Sequence, residues 1–199
     1  MLKVWGRRSA FNVQKVLWLL DEIGLPYSHV PAGGSFGLLD QSEFLAMNPH
    51  GRVPVIEDDD GTVVWESHSI LRHLATRYGG GSALWPDDPA GRSRLDRWMD
   101  WSLSRLQPAF IDGVFMALCR TPEPERDLAH IEQSITQCAI YFLLSDQVLA
   151  GRDFLDGEHL TLADIPAEAT QRRCLVRALS RTRRLQRARH GHVLSGVYA

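Results

Sequence analysis

Two short β-rich runs around a glycine turn, followed at once by an amphipathic helix, constrain the fold most. The runs are RVPVIED (52–58) and TVVWE (62–66), and Gly61 ends the acidic turn between them. Such runs around such a turn predict an antiparallel hairpin. The helical pattern SHSILRHLATRYG follows at 67–79, with Ser67 as the predicted N-cap and Gly79 after the last turn. A hairpin leading directly into a helix is typical of an α/β layer.

The segment before the hairpin extends this α/β pattern. The apolar opening LKVW ends at Gly6, and apolar side chains recur at helical spacing from Asn12 to Ile23. YSHVPA (27–32) has the composition of a second strand, and QSEFLAMN (41–48) that of a short helix. The order β-α-β-α-β-β-α over residues 1–80 predicts a small mixed sheet flanked by helices.

The second half of the chain shows only helical patterns. The Gly-, Pro- and Asp-rich stretch GGGSALWPDDP predicts a linker over 81–90. Beyond it, 91–119 and 125–149 have helical periodicity and no strand alternation. We therefore predict an α/β domain over 1–80 and an all-α domain over 91–170.

Composition excludes several classes of protein. The chain is 44% hydrophobic and 23% charged, as in ordinary soluble globular proteins. No apolar stretch approaches the roughly 20 residues that span a bilayer, and MLKVWGRRS does not resemble a secretory leader. The three cysteines are scattered without a C-x-x-C pair, which argues against a disulfide framework and a zinc site. We expect a cytoplasmic protein with no metal and no membrane partner.

The segment 171–199 has a different composition from the rest. It carries eight arginines, whereas all 24 acidic residues precede it. The arginines lack lysines and stacking aromatics nearby, so we do not expect nucleic acid as a partner. A reading-frame change in an arginine-rich coding sequence is the interpretation we prefer for this atypical tail. A basic arm for nucleic acid or anionic lipid is the alternative.

Three motifs carry a family resemblance. They are GRRSAFNVQKVLWLLDEIGLPY (6–27), NPHGRVPVIEDDDGTVVWESHSILRHL (48–74) and LTLADI (160–165). With them the chain resembles, over about residues 1–167, a cytosolic glutathione transferase of the bacterial, theta-like kind. The resemblance implies a thioredoxin-like N-terminal domain followed by an all-α domain, and a homodimer that detoxifies electrophiles. LTLADI alone is weak, because Thr161 and Asp164 also form a generic capping pattern.

The resemblance implies a set of glutathione-binding residues. Pro54 would be cis, so that Val53 offers its N–H and C=O to the cysteinyl part of glutathione. Ser67 would bind the γ-glutamyl carboxylate at the start of a helix, and Glu66 the γ-glutamyl amine. Arg52 would reach the glycyl carboxylate. The structural alternatives are that Ser67 only caps its helix and that Arg52 is only a solvated side chain.

Catalysis in this family needs the glutathione thiol as a thiolate. A free thiol has a pKa of about 8.5, and lowering it by two units requires roughly 2.7 kcal/mol. One hydrogen bond to a charged acceptor supplies roughly 1.5–3 kcal/mol. Ser9 could donate it, although relatives commonly place serine where this chain has Ala10. Asn12 is the other nearby donor, and the alternative role for Ser9 is a helix cap.

The leading functional hypothesis is conjugation of glutathione to a hydrophobic electrophile. No cysteine occurs in the GRRSAFN loop, which disfavours mixed-disulfide chemistry with a protein thiol. Two alternatives remain: a non-catalytic glutathione-binding protein, and a disulfide reductase that uses two glutathiones and no protein thiol. The apolar residues Trp101, Phe115 and Met116 are candidates for the electrophile pocket or for plain packing.

Overall fold

The computed structural model describes residues 1–79 and 83–171. Its first half is a four-stranded mixed sheet with strand order β2-β1-β3-β4. β2 runs parallel to β1, whereas β3 is antiparallel to both β1 and β4. This confirms the predicted hairpin and the predicted element order. The strands are β1 (Lys3–Trp5), β2 (Ser28–Val30), β3 (Val55–Glu57) and β4 (Val63–Trp65), and the helices are α1 (Phe11–Glu22), α2 (Ser42–Met47) and α3 (Ser67–Tyr78).

Helices cover both faces of this sheet. α1 and α3 bury one continuous apolar cluster, which includes Val16, Leu20 and Leu74. α2 contributes Phe44 to a second cluster with Val55. Because Val55 and Ile56 point to opposite faces of β3 and both are fully buried, each face of the sheet has its own core.

The start of α3 differs from the prediction in one respect. Its N-cap is Glu66, and Ser67 is the first helical residue. The Glu66 side chain makes no capping hydrogen bond, and its backbone has φ 67° and ψ 118°. The capping role predicted for Ser67 is therefore wrong, because the chain leaves β4 through an unusual backbone turn one residue earlier.

The hairpin is tied to the end of α3 by a buried carboxylate. The Asp58 side chain is fully buried and accepts hydrogen bonds from Nε2 of His73 at 2.6 Å and from the Tyr78 hydroxyl. Nε of Arg77 lies 3.5 Å away. Burial alone would raise the pKa of Asp58, but the hydrogen bonds from Tyr78, His73 and the backbone, together with the charge of Arg77, hold it below its ordinary value.

The second half is helical, as predicted. α4 begins at Pro89, two residues before the predicted segment, because Asp88 caps it by accepting from the N–H of Gly91 at 2.7 Å. Two π-helical stretches interrupt α4 before it ends at residue 119. The segments of α4 are Pro89–Trp101, Ser102–Leu106 (π), Gln107–Phe110, Ile111–Met116 (π) and Ala117–Cys119.

Two further helices complete the described part of this half. α5 spans Leu128–Leu149, and α6 covers 164–171. The LTLADI motif caps α6, because Asp164 accepts from the N–H and the hydroxyl of Thr161 at 2.9 and 2.8 Å. Leu95, Met99 and Leu162 join the same core as α1 and α3, so the two halves are packed into one apolar interior.

No helix in the described parts of the chain combines the length and the apolar character needed to cross a membrane. The predicted atypical tail at 171–199 lies, apart from its first residue, outside the described residues.

Candidate functional site

The sheet topology brings the predicted site residues to one edge. Trp5 pairs with Val55, and Val55 pairs with Trp65. The end of β1, the start of β3 and the end of β4 therefore lie next to one another at the same edge of the sheet. A Cβ at Gly6 would collide with Val13 and lie 3.3 Å from Cβ of Val53, so the loop after β1 packs directly against the segment that precedes β3.

Val53 presents its main chain at this edge. The Val53–Pro54 peptide bond is cis, as the resemblance implies. Within residues 1–79 and 83–171, no group is hydrogen-bonded to the N–H or C=O of Val53. Buried Asn48 supports the preceding turn, because its Nδ2 donates to the carbonyl of Arg52 at 2.8 Å and its Oδ1 accepts from the N–H of His50 at 3.0 Å.

Glu66 and Ser67 lie beside this unpaired main chain. The φ of 67° at Glu66 is rare for a residue other than glycine, and such conformations cluster at ligand-binding positions. Ser67 is buried and Glu66 is exposed, and neither side chain is hydrogen-bonded to another described residue. Arg52 is also exposed, with no side-chain ion pair among the described residues. The edge thus offers a hydroxyl, a carboxylate and a guanidinium to a ligand.

The two candidate thiolate donors occupy different environments. Ala10 is the N-cap of α1, so Ser9 lies one residue before the N-cap, where it is exposed. Asn12 is in the first turn of α1 and is half-buried. Its Oδ1 accepts a hydrogen bond from Nζ of Lys15 at 3.0 Å. Asn12 is therefore held by a partner within its own helix.

Lys15 is a fully buried ammonium that links the two halves of the molecule. Its Nζ donates to Oε1 of Gln107 on α4 at 2.8 Å and lies 3.4 Å from Nε2 of His68. It also lies 4.3 Å from the centre of the Phe11 ring, a cation–π contact. Burial lowers the pKa of Lys15 to about 7, although the negative charge of Glu66 acts in the opposite direction.

His68, next to Ser67, is a neutral acceptor in this cluster. Nε2 of Gln107 lies 3.1 Å from Nε2 of His68 and also donates to Oγ of Ser102 at 3.2 Å. Burial, followed by the charges of Lys15 and Arg72, lowers the pKa of His68 to about 2. Since two donors face Nε2, the ring proton belongs on Nδ1, which is buried without a partner in the described structure.

Sequence reasoning missed Lys15, His68, Gln107 and Asn48. A signal for Lys15 was present: it lies within an apolar run, four residues before buried Leu19, so it shares the core-facing side of α1. Gln107 offered no such signal, because its role depends on where α4 packs. The aromatic candidate Trp101 makes edge-to-face contacts with Trp98 at 5.5 Å and Tyr141 at 5.8 Å, which is packing within the helical half.

Comparisons with known proteins identify the family. Residues 11–77 match the family model described as the N-terminal domain of glutathione S-transferase. The chain is 43% identical to glutathione S-transferase GstB of Escherichia coli strain K12 over 166 residues, which cover 83% of this chain and 79% of that protein. The chain belongs to the glutathione S-transferase family.

Solved structures of this family agree with the fold. The theta class glutathione S-transferase of Xanthomonas axonopodis pv. citri, solved with glutathione bound, is 41% identical, with a TM-score of 0.75. The match covers 83% of this chain and 78% of that one. Ure2p in complex with glutathione is 26% identical, with a TM-score of 0.74, over 83% of this chain and 76% of that one. The glutathione S-transferase architecture, a thioredoxin-like domain followed by a helical one, is therefore established for this chain.

Proposed function

We propose that this glutathione S-transferase binds glutathione at the sheet edge and conjugates its thiolate to an electrophilic small molecule. The observation that carries the proposal is the unpaired main chain of Val53 beside the exposed Glu66 and buried Ser67, in a chain of this family. A main chain with both groups available pairs with a peptide as an added strand would. The cysteinyl part of glutathione is such a peptide.

The ends of glutathione have complementary partners at this edge. The hydroxyl and amide of Ser67, at the partly positive start of α3, suit the γ-glutamyl carboxylate. The Glu66 carboxylate suits the γ-glutamyl amine, and the Arg52 guanidinium suits the glycyl carboxylate. Three charged ends matched in this way select glutathione over smaller thiols, because each missing end leaves a protein group without its partner.

The reaction uses glutathione itself as the nucleophile. The thiol loses its proton to solvent, and an N–H or O–H donor at the start of α1, from Asn12 or Ser9, stabilises the sulfur anion. The anion then attacks an electrophilic carbon of an apolar substrate, so that a C–S bond forms as the bond to the leaving group breaks. The helical half would supply the apolar side of that pocket. We also propose that two copies of the chain form a homodimer in the cytoplasm, to be checked by sedimentation velocity.

The direct test is glutathione binding by calorimetry followed by a chromogenic electrophile assay. Wild type should bind glutathione and turn over the electrophile, and Asn12→Ala or Ser9→Ala should lower kcat by about 10- to 100-fold, the loss of one charge-assisted hydrogen bond. Ser104→Ala is the matched control, since the Ser104 hydroxyl only donates to the carbonyl of Asp100 on the exposed side of α4. A folded protein that takes up no glutathione would refute the proposal.

A second candidate, a glutathione-binding protein without conjugating activity, has one observation in its favour. Ala10 is buried at the N-cap of α1, the position at which related sequences commonly carry serine. The chain is also 34% identical over 110 residues to the transcriptional regulator URE2 of Saccharomyces cerevisiae, a match that covers 53% of this chain and 31% of that protein. Retention on immobilised glutathione without turnover of any of a broad panel of electrophiles and glutathione disulfides would select this candidate.

A further inference from the structure

The buried cluster around Lys15 determines how the side-chain amide of Asn12 is oriented. An ammonium group has only donors, and each polar contact of Nζ is to an acceptor: Oδ1 of Asn12, Oε1 of Gln107 and Nε2 of His68. Lys15 is completely buried, so no water competes for these bonds. The ammonium therefore dictates which end of each amide faces it.

For Asn12 this has a chemical consequence. A side-chain amide has an oxygen that accepts and a nitrogen that donates, and the two ends are nearly equal in size. With Oδ1 held 3.0 Å from Nζ of Lys15, the Nδ2 end lies outside the cluster. No described residue is hydrogen-bonded to this nitrogen. Without Lys15 the amide could turn over, and its oxygen would then replace the donor and repel a sulfur anion.

The location of Asn12 makes this orientation relevant to glutathione. Its neighbour Val13 packs against Gly6, and Gly6 packs against Val53, whose main chain is the proposed partner of the cysteinyl group. The first turn of α1 thus lies against the segment that contains Val53, and Lys15, which is bonded to Asn12, contacts His68 next to Ser67.

We propose that Lys15 is a positioning residue that holds Asn12 with its amide N–H groups turned toward the glutathione sulfur. The proposal rests on the proposed function, because it needs bound glutathione. It differs from a purely structural role for Lys15, which would affect folding and binding but not the ionisation of the thiol.

The titratable groups around Lys15 are consistent with this role. Glu66 interacts with it across the start of α3, and His68 faces it in neutral form. Burial lowers the pKa of Lys15 to about 7, so the amine is partly deprotonated near neutrality. A neutral amine has two N–H donors and a lone pair that accepts, so the orienting effect on Asn12 is strongest where Lys15 is protonated.

The experiment is a double-mutant cycle read by the ultraviolet absorbance of the thiolate of bound glutathione as a function of pH. Asn12→Ala should raise the pKa of the bound thiol by about one to two units, the value of one charge-assisted hydrogen bond. Lys15→Met, which keeps the length of the side chain, should raise it by about one unit. The double variant should match Asn12→Ala alone, because Lys15 acts through Asn12. The glutathione Kd should change by only about threefold in Lys15→Met.

Two further variants separate orientation from loosened packing. Ser102→Ala removes a partner of Gln107 at the far side of the same cluster and leaves the Lys15–Asn12 bond intact, so the thiol pKa should stay at the wild-type value. Lys15→Gln retains an N–H donor in a neutral side chain, and its thiol pKa should lie between those of wild type and Lys15→Met. Circular dichroism checks that each variant is folded.

Three results would overturn the inference: a wild-type thiol pKa in Lys15→Met, an equal shift when Lys15→Met is added to Asn12→Ala, or a shift in Ser102→Ala as large as that in Lys15→Met. Lys15→Gln keeps the test decisive if Lys15→Met does not fold, because a thiol pKa above that of Asn12→Ala would contradict the orienting role. Failure of the proposed function is seen separately, as wild-type protein that neither binds glutathione nor shows a thiolate band.

Discussion

Lys15 and Asp58 are both buried, but the groups around them have opposite effects on their charged forms. Neither side chain is accessible to solvent. Asp58 is surrounded by donors and cations, from Tyr78, His73 and Arg77, which favour its charged form. The hydrogen-bond partners of Lys15 are neutral acceptors, and burial disfavours its charged form more than the charge of Glu66 favours it.

Because of this difference, Asp58 keeps its charge at neutral pH, whereas the charge of Lys15 changes with pH. The protonation of Asp58 is fixed at neutral pH, since its pKa lies below the ordinary value, and its role ends with joining the hairpin to α3. The charge of Lys15 is not fully compensated within the protein, so an anion that binds nearby stabilises it. The two clusters should therefore respond differently to pH, to mutation and to ligand.

The largest expected effect is the pH dependence that Lys15 contributes. Its pKa is about 7 in the folded protein, against an ordinary value of 10.5. Between these values the unfolded chain binds a proton that the folded chain has released, so stability rises with pH. Over pH 7 to 10 the gain should approach about 4 kcal/mol. Urea unfolding of wild type and Lys15→Met across this window measures it, and two parallel curves would show that Lys15 titrates normally.

The next effect is the loss of the buried carboxylate in Asp58→Asn. His73, Arg77 and Tyr78 lose a charged acceptor, and we expect the free energy of unfolding to fall by about 2–3 kcal/mol. Glutathione affinity should be unchanged, because Asp58 lies at the other end of the hairpin from Val53. Urea unfolding and calorimetry on the same preparation check both statements. A weakened Kd would mean that the two clusters are not independent.

His68 should contribute a smaller change in stability, and this change occurs at acidic pH. Its pKa of about 2 in the folded protein is far below the ordinary value of 6.5. The unfolded chain gains a proton as the pH falls below 6.5, so stability is progressively lost there. His68→Gln keeps an acceptor and removes the titration. Between pH 6.5 and 5 the variant should lose about 2 kcal/mol less than wild type, and an identical loss would place the titration elsewhere.

The smallest effect is expected at the exposed rim of the Asp58 cluster. Asp60 pairs with Arg77, but both side chains reach solvent. Exposed ion pairs contribute little and are screened by salt. Asp60→Asn should leave the urea midpoint within experimental error of wild type at moderate salt. A clear loss of stability would show that the rim, and not only the buried carboxylate, holds the hairpin.

Local patterns were enough to predict most of the fold. The turn at Gly61 and the helical spacing after Asn12 each reflect interactions within a few residues. The cis peptide bond at Val53–Pro54 was predicted from the family resemblance, and the structure confirms it. Ser67 was misassigned as the N-cap, because the backbone turn at Glu66 leaves no mark in residue type.

The contacts that cross the molecule could not be predicted in the same way. Lys15 and Gln107 are 92 positions apart, and the sequence around either residue does not indicate that the two are in contact. Sequence patterns report which face of a helix is apolar, and a buried lysine interrupts such a face without revealing its partners. Only the packing of α1, α3 and α4 brings the ammonium, the imidazole and the amide together.

The apolar core shared by α1, α3 and α4 also has a consequence for the cooperativity of unfolding. Separating the halves would break the apolar cluster that holds Leu95 and Met99 together with residues of α1 and α3, and it would remove Gln107 from Lys15. A half-folded species would thus carry a bare apolar surface. The chain should melt in a single transition, with equal calorimetric and van't Hoff enthalpies.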